Sequence, residues 1–97
     1  MKVKAIKMHS KDNVATAIDD IEEGERIAVK NDEIFEIEAV QRIPFGHKIA
    51  LREISKGENI IKYGEVIGRA TVEIKKGEHV HVHNVESLRG RGDIAKR

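Results

Sequence analysis

Three histidines alternate with two valines in Gly77-Glu78-His79-Val80-His81-Val82-His83-Asn84. Side chains of an extended run point to opposite faces in turn, so His79, His81 and His83 share one face and Val80 and Val82 turn toward a core. The β-branched valines favour a strand over a helix. Imidazoles gathered on one face suit a divalent transition metal, or a site that moves protons near neutral pH. Geometry limits this. A straight strand places the Cα atoms of His79 and His83 about 13 Å apart, whereas metal–nitrogen bonds are about 2.0–2.1 Å. His79 with His81, or His81 with His83, can share an ion; all three converge only where the strand bends or bulges. Other ligands would come from elsewhere in the fold, from substrate or from another chain. The competing reading is a solvated polar strand face.

The elements that must hold this run are short and extended. Alternation predicts strands over Lys2–Met8 and Val14–Ile18, the latter with a short helix as its alternative. A hairpin is expected from Arg26–Lys30 and Ile34–Val40 across Asn31-Asp32. Further strands are read at His47–Arg52, Ile60–Tyr63 and Val66–Ala70, and no window carries a helical period of useful length. One pattern recurs: Ala, three residues, Ile, two residues, Gly-Glu, then an apolar residue two further on. It runs from Ala17 to Ile27, from Ala50 to Ile60 and from Ala70 to Val80. Each copy reads as a strand end, a corner anchored by one buried Ile, and a Gly free to reverse the chain.

With 97 residues the chain is one domain, expected to occupy residues 1–85 and to end in a basic, mobile tail at 86–97. There is no cysteine, so disulfides and thiolate metal sites are excluded. Charged residues make up 36% yet cancel to +1, and Phe35, Phe45 and Tyr63 are the only aromatics. Neither a clustered positive field nor a base-stacking platform is visible, so no nucleic-acid partner is expected. No apolar run reaches membrane-span length and no signal peptide is apparent, which makes a cytoplasmic location the expectation.

Four stretches carry a family likeness: His9-Ser10-Lys11-Asp12-Asn13-Val14-Ala15, Gly46-His47-Lys48-Ile49-Ala50-Leu51, Ile61-Lys62-Tyr63-Gly64-Glu65-Val66-Ile67-Gly68 and Gly77 to Asn84. In this order the chain resembles the small N-terminal part of the altronate/galactarate dehydratases, with the small subunit of sulfolactate sulfo-lyases as a near relative. The resemblance implies a mainly β, SAF-type β-clip domain related to type III antifreeze proteins, with short strands, glycine turns and little helix. It also implies a hydro-lyase that removes water from a polyhydroxy carboxylate, and a separate large catalytic subunit as partner. The alternatives are a free-standing carbohydrate- or carboxylate-binding module, an assembly module, or a sulfo-lyase small subunit. A homo-oligomer is compatible with each.

Such an elimination needs a base, an acid and a cation to hold developing charge. Fe²⁺ or a similar divalent ion is implied, with His79, His81 and His83 as its candidate ligands. His47, Lys48 and His9 are the candidate catalytic groups. Asp12, Asn13, Lys62 and Asn84 are candidate substrate contacts. The competing roles are turn capping for His9, Asp12 and Asn13, and a solvated strand start for His47 and Lys48. Tyr63 is expected to pack.

Overall fold

A computed structural model describes residues 1–88, and these form nine strands with no helix. They are β1 (Val3–Ile6), β2 (Val14–Ala17), β3 (Arg26–Lys30), β4 (Ile34–Glu38), β5 (Lys48–Ala50), β6 (Asn59–Lys62), β7 (Glu65–Ala70), β8 (His79–Val80) and β9 (Val85–Ser87). One sheet has the order β4-β3-β1-β2-β5-β8 and the other β6-β7-β9. All pairs are antiparallel except β1 with β3. The small β domain implied by the resemblance is what the chain forms.

The Ala–Ile–Gly corners are the organising device, and a fourth joins the three that the recurring pattern marks. The fourth runs from Ala39 through Ile43 and Gly46 to Ile49. Corners associate in pairs by the same reciprocal hydrogen bonds. In the first pair the amides of Ile21 and Ile43 donate to each other's carbonyls at 2.9 and 2.8 Å, Gly24 donates to Ala39, and Gly46 to Ala17. In the second, Ile54 and Ile74 exchange bonds at 2.8 Å, Gly57 donates to Ala70, and Gly77 to Ala50. Each pair closes its own core. Ala17, Ile21, Ile27, Ala39, Ile43 and Ile49 are buried together, and so are Ala50, Ile54, Ile60, Ala70, Ile74 and Val80. A backbone whose polar groups are spent in a corner can sit among apolar side chains without an unpaired donor.

Several expected boundaries move for this reason. The strand read to Val40 stops at Glu38, because Ala39 already belongs to a corner and the Val40 amide donates across to Gly77. The segment read as His47–Arg52 is paired only from Lys48 to Ala50. At the C-terminal side, Gly68, Arg69 and Ala70 of β7 pair with Ser87, Glu86 and Val85. Glu86 and Ser87 are therefore sheet residues, and the boundary expected after residue 85 is corrected. The remainder of the expected tail, from 89 onward, lies outside the described residues. Among the described residues no helix is long and apolar enough to cross a membrane.

Candidate functional site

The histidine run is a strand for only two residues. β8 pairs with β5 through Lys48–Val80 and Ile49–His79. Beyond Val80 the chain turns, and Asn84 is what turns it. Its buried side chain accepts from the His81 amide at 3.0 Å and donates to the His79 carbonyl at 2.9 Å. The extended reading is corrected here: Val80 is fully buried as expected, but Val82 is 81% exposed. The bend also removes the separation that a straight strand would impose. The rings of His79 and His83 come to 5.0 Å between centroids.

The β5–β8 register brings in a histidine from 32 positions upstream. His47 stacks on His81 with ring centroids 3.8 Å apart, and its Nδ1 lies 2.8 Å from Nε2 of His79. One ligand nitrogen from each of His47, His79 and His81 lies within 4.8 Å of the others, and His83 stands outside this group. Nδ1 of His81 is buried without a hydrogen-bond partner. Burial, followed by the like charges of His83, His47, His81 and Lys48, pushes His79 down to about 4. Burial also leads the lowering of His81. These rings are thus neutral near pH 7, the state in which imidazole ligates a metal. A mutually close set of imidazole nitrogens with one orphaned atom fits a borderline divalent cation.

A cleft of about 360 Å³ opens beside the imidazoles, lined by Lys48, Lys62, Tyr63, His81, Val82 and Ser87 among others. Burial, with Lys62 as the second cause, lowers the pKa of Lys48. Neither lysine lies within 4.0 Å of a carboxylate among the described residues, and both line the same cleft. Two neighbouring cations with no counter-ion among the described residues form a place for an anionic group.

The remaining sequence candidates shape this cleft from behind. Lys62 and Glu65 flank a two-residue hairpin turn in which Tyr63 and Gly64 both have positive φ, 58° and 73°. That geometry suits glycine and strains tyrosine. Asp12 holds it. Its buried carboxylate accepts from the amides of Tyr63 at 3.0 Å, Gly64 at 2.8 Å and His9 at 3.1 Å. Asn13 does the same one step along, accepting from Ile61 and donating to the Asn59 carbonyl. His9 rests against Gly64, where a Cβ would lie 3.0 Å from its ring, and its Nδ1 accepts from the Lys11 amide. It is apart from the other imidazoles. Tyr63 does not pack as expected: it is 56% exposed, with Lys62 Nζ 5.2 Å from its ring centre. We expect Asp12→Ala to cost about 2–3 kcal/mol in urea denaturation, because it strands three donors in and around a strained turn.

A pH dependence follows from His79. The unfolded ring titrates near 6.5 and the folded one near 4, so between these values the unfolded chain binds more protons. Its contribution to stability is complete above about pH 6.5 and is lost as pH falls toward 4. Metal-free protein should therefore show a falling melting temperature across that window, and His79→Gln should flatten the slope.

Residues 3–88 match the altronate/galactarate dehydratase SAF domain, and the chain belongs to that family. It is 46% identical over 82 residues to altronate dehydratase of Escherichia coli and 45% identical over 82 residues to that of Bacillus subtilis. Each alignment covers 84% of this chain but 16% of the relative, so the chain spans a small part of those enzymes. It is also 39% identical over 75 residues to the (2R)-sulfolactate sulfo-lyase subunit alpha of Chromohalobacter salexigens, covering 74% of this chain and 80% of that subunit.

Proposed function

We propose that this domain is the small component of a sugar-acid hydro-lyase of the altronate dehydratase kind, working with a separate, larger catalytic chain in the cytoplasm. The observation that carries this reading is a cleft where His81, one of three clustered imidazoles, meets two lysines that have no acidic partner among the described residues. Elimination of water from a polyhydroxy acid starts with loss of the proton beside the carboxylate, and the resulting negative charge must be held. Lys48 and Lys62 hold the acid group and orient the carbon next to it. His47, His79 and His81 hold a divalent cation, with Fe²⁺ the expected ion. A cation bound there supplies Lewis-acid stabilisation of negative charge on a substrate oxygen. Asp12 and Asn13 keep the Lys62 arm in place, and Asn84 keeps His79 and His81 facing His47.

A sulfo-lyase role is the second reading. What favours it is the match to 80% of a protein named as a subunit, a likeness that also supports the two-chain arrangement. The test is to produce the chain together with a large chain of the altronate dehydratase kind from the same source and assay hexonates, hexarates and (2R)-sulfolactate. We expect little turnover by the 97-residue chain alone and robust turnover by the pair. Lys48→Met and Lys62→Met should each raise KM by about 10-fold to 100-fold, the worth of a charge-assisted hydrogen bond. Full activity of the pair after alanine replacement of His47, His79 and His81 would reduce the domain to an assembly module.

A further inference from the structure

The four corners share one backbone and differ in one side-chain device. In each, the amide after the glycine donates back to the carbonyl of the residue after the isoleucine: Glu25 to Glu22 at 3.1 Å, His47 to Pro44 at 3.0 Å, Glu58 to Ser55 at 2.9 Å and Glu78 to Lys75 at 3.0 Å. In three corners the glutamate side chain then bends round to cap that turn. Glu25 accepts from the Glu22 amide at 3.0 Å, Glu58 from the Ser55 amide at 2.9 Å, and Glu78 from the Lys75 amide. The fourth corner has His47 where the acceptor stands and Pro44 where the donor stands. Proline has no N–H. Both halves of the cap are missing from the same corner, and it is the corner whose cap position itself holds a ring of the imidazole cluster.

We propose that Pro44 and His47 are a matched exchange that puts a ligand at the cap position of one structural corner, with Pro44 as the positioning residue for His47. The physical need is plain from the surroundings. A backbone amide will capture a nearby imidazole in this protein: Nδ1 of His9 accepts from the Lys11 amide at 3.1 Å. Nδ1 is also the atom that His47 turns toward His79. Every amide of the 44–47 turn is kept off that atom. Phe45 donates to the Asp20 carboxylate at 2.8 Å, Gly46 to the Ala17 carbonyl at 2.8 Å, His47 to Pro44, and Pro44 has nothing to donate. With any other residue at 44, an N–H would sit where the glutamates of the other corners find theirs. It would draw the ring back onto its own turn and away from His79 and His81. The metal part of this inference rests on the function proposed above; the corner part does not.

The experiment is a cycle of Pro44→Ser, His47→Glu and the double variant, each read in three ways. Melting of metal-free protein should be non-additive: the double variant should melt about 4 °C above the sum of the single shifts, since only it rebuilds the amide–carboxylate cap. Side-chain ¹⁵N NMR of metal-free Pro44→Ser should show Nδ1 of His47 bonded to the new amide, with the His47–His79 bond lost. Titration with Co²⁺ should give Pro44→Ser about tenfold weaker binding than wild type although every histidine is retained. Additive melting, or a His47 ring that NMR finds unmoved in Pro44→Ser, overturns the exchange. If wild type takes up no Co²⁺ while melting and NMR behave as expected, the metal reading falls and the corner exchange stands.

Discussion

His47→Ala, His79→Ala and His81→Ala should each weaken Co²⁺ or Zn²⁺ binding by more than about 100-fold, whereas His83→Ala should change it by less than about tenfold. Altering only the groups that orient a ligand typically costs 10-fold to 100-fold, and loss of a ligand itself costs more. The three rings belong together by distance, with one nitrogen from each inside a 4.8 Å span. His83 is exposed and reaches the cluster only by a tilted contact with His79. Isothermal titration at pH 7 reads both effects. Equal losses at His83 and His47 would mean that the ion sits on the turn at 81–84 and not between the strands. His81→Ala has a second expected consequence. It removes a buried, unpartnered nitrogen, so the metal-free variant should lose less stability than the size of the deleted ring implies.

Gly77→Ala should destabilise the domain by about 3 kcal/mol or more, while Gly57→Ala costs about 1–2 kcal/mol. The two glycines occupy equivalent corners with φ of 88° and 86°, so the penalty for a left-handed alanine is the same in both. Space separates them. A Cβ on Gly57 meets nothing within 4 Å, but one on Gly77 would lie 2.3 Å from the Glu38 carbonyl oxygen and 3.3 Å from the Val40 nitrogen. Those atoms are backbone and cannot rotate away. Gly77 also accepts from the Val40 amide at 3.0 Å, a bond that ties the second corner pair to the first. Relief of the clash must therefore open the junction between the two cores. For a domain of this size the loss is a large share of total stability. Urea unfolding of the two variants, compared at constant slope, measures the difference; equal costs would show that the junction gives way freely.

Much of the architecture is written locally. A glycine three positions after an isoleucine marks a reversal whatever lies elsewhere, because positive φ is closed to most other residues. The absence of helical period and the buried Val80 are read from spacing alone. The fourth corner departs from the pattern at one position, where His47 replaces the glutamate, so the residue that joins the imidazole cluster is the one that breaks the pattern. Likewise Asp12 and Asn13 stand in a stretch with the composition of a turn, and that composition cannot say that their side chains reach more than forty residues ahead to hold Asn59, Ile61, Tyr63 and Gly64.

What the amino-acid order determined by itself is which residue types occur, which corners turn, and that three histidines lie close along the chain. What tertiary structure decided is which of them act together. His47 joins His79 and His81, Lys48 comes near Lys62, and His83 is left at the rim, all through the pairing of β5 with β8 and the packing of one corner pair on the next. Local spacing specifies dihedral angles and the face a side chain takes. It says nothing of which distant strand will lie alongside or in what register, and it is that register that places the rings of His47 and His81 3.8 Å apart.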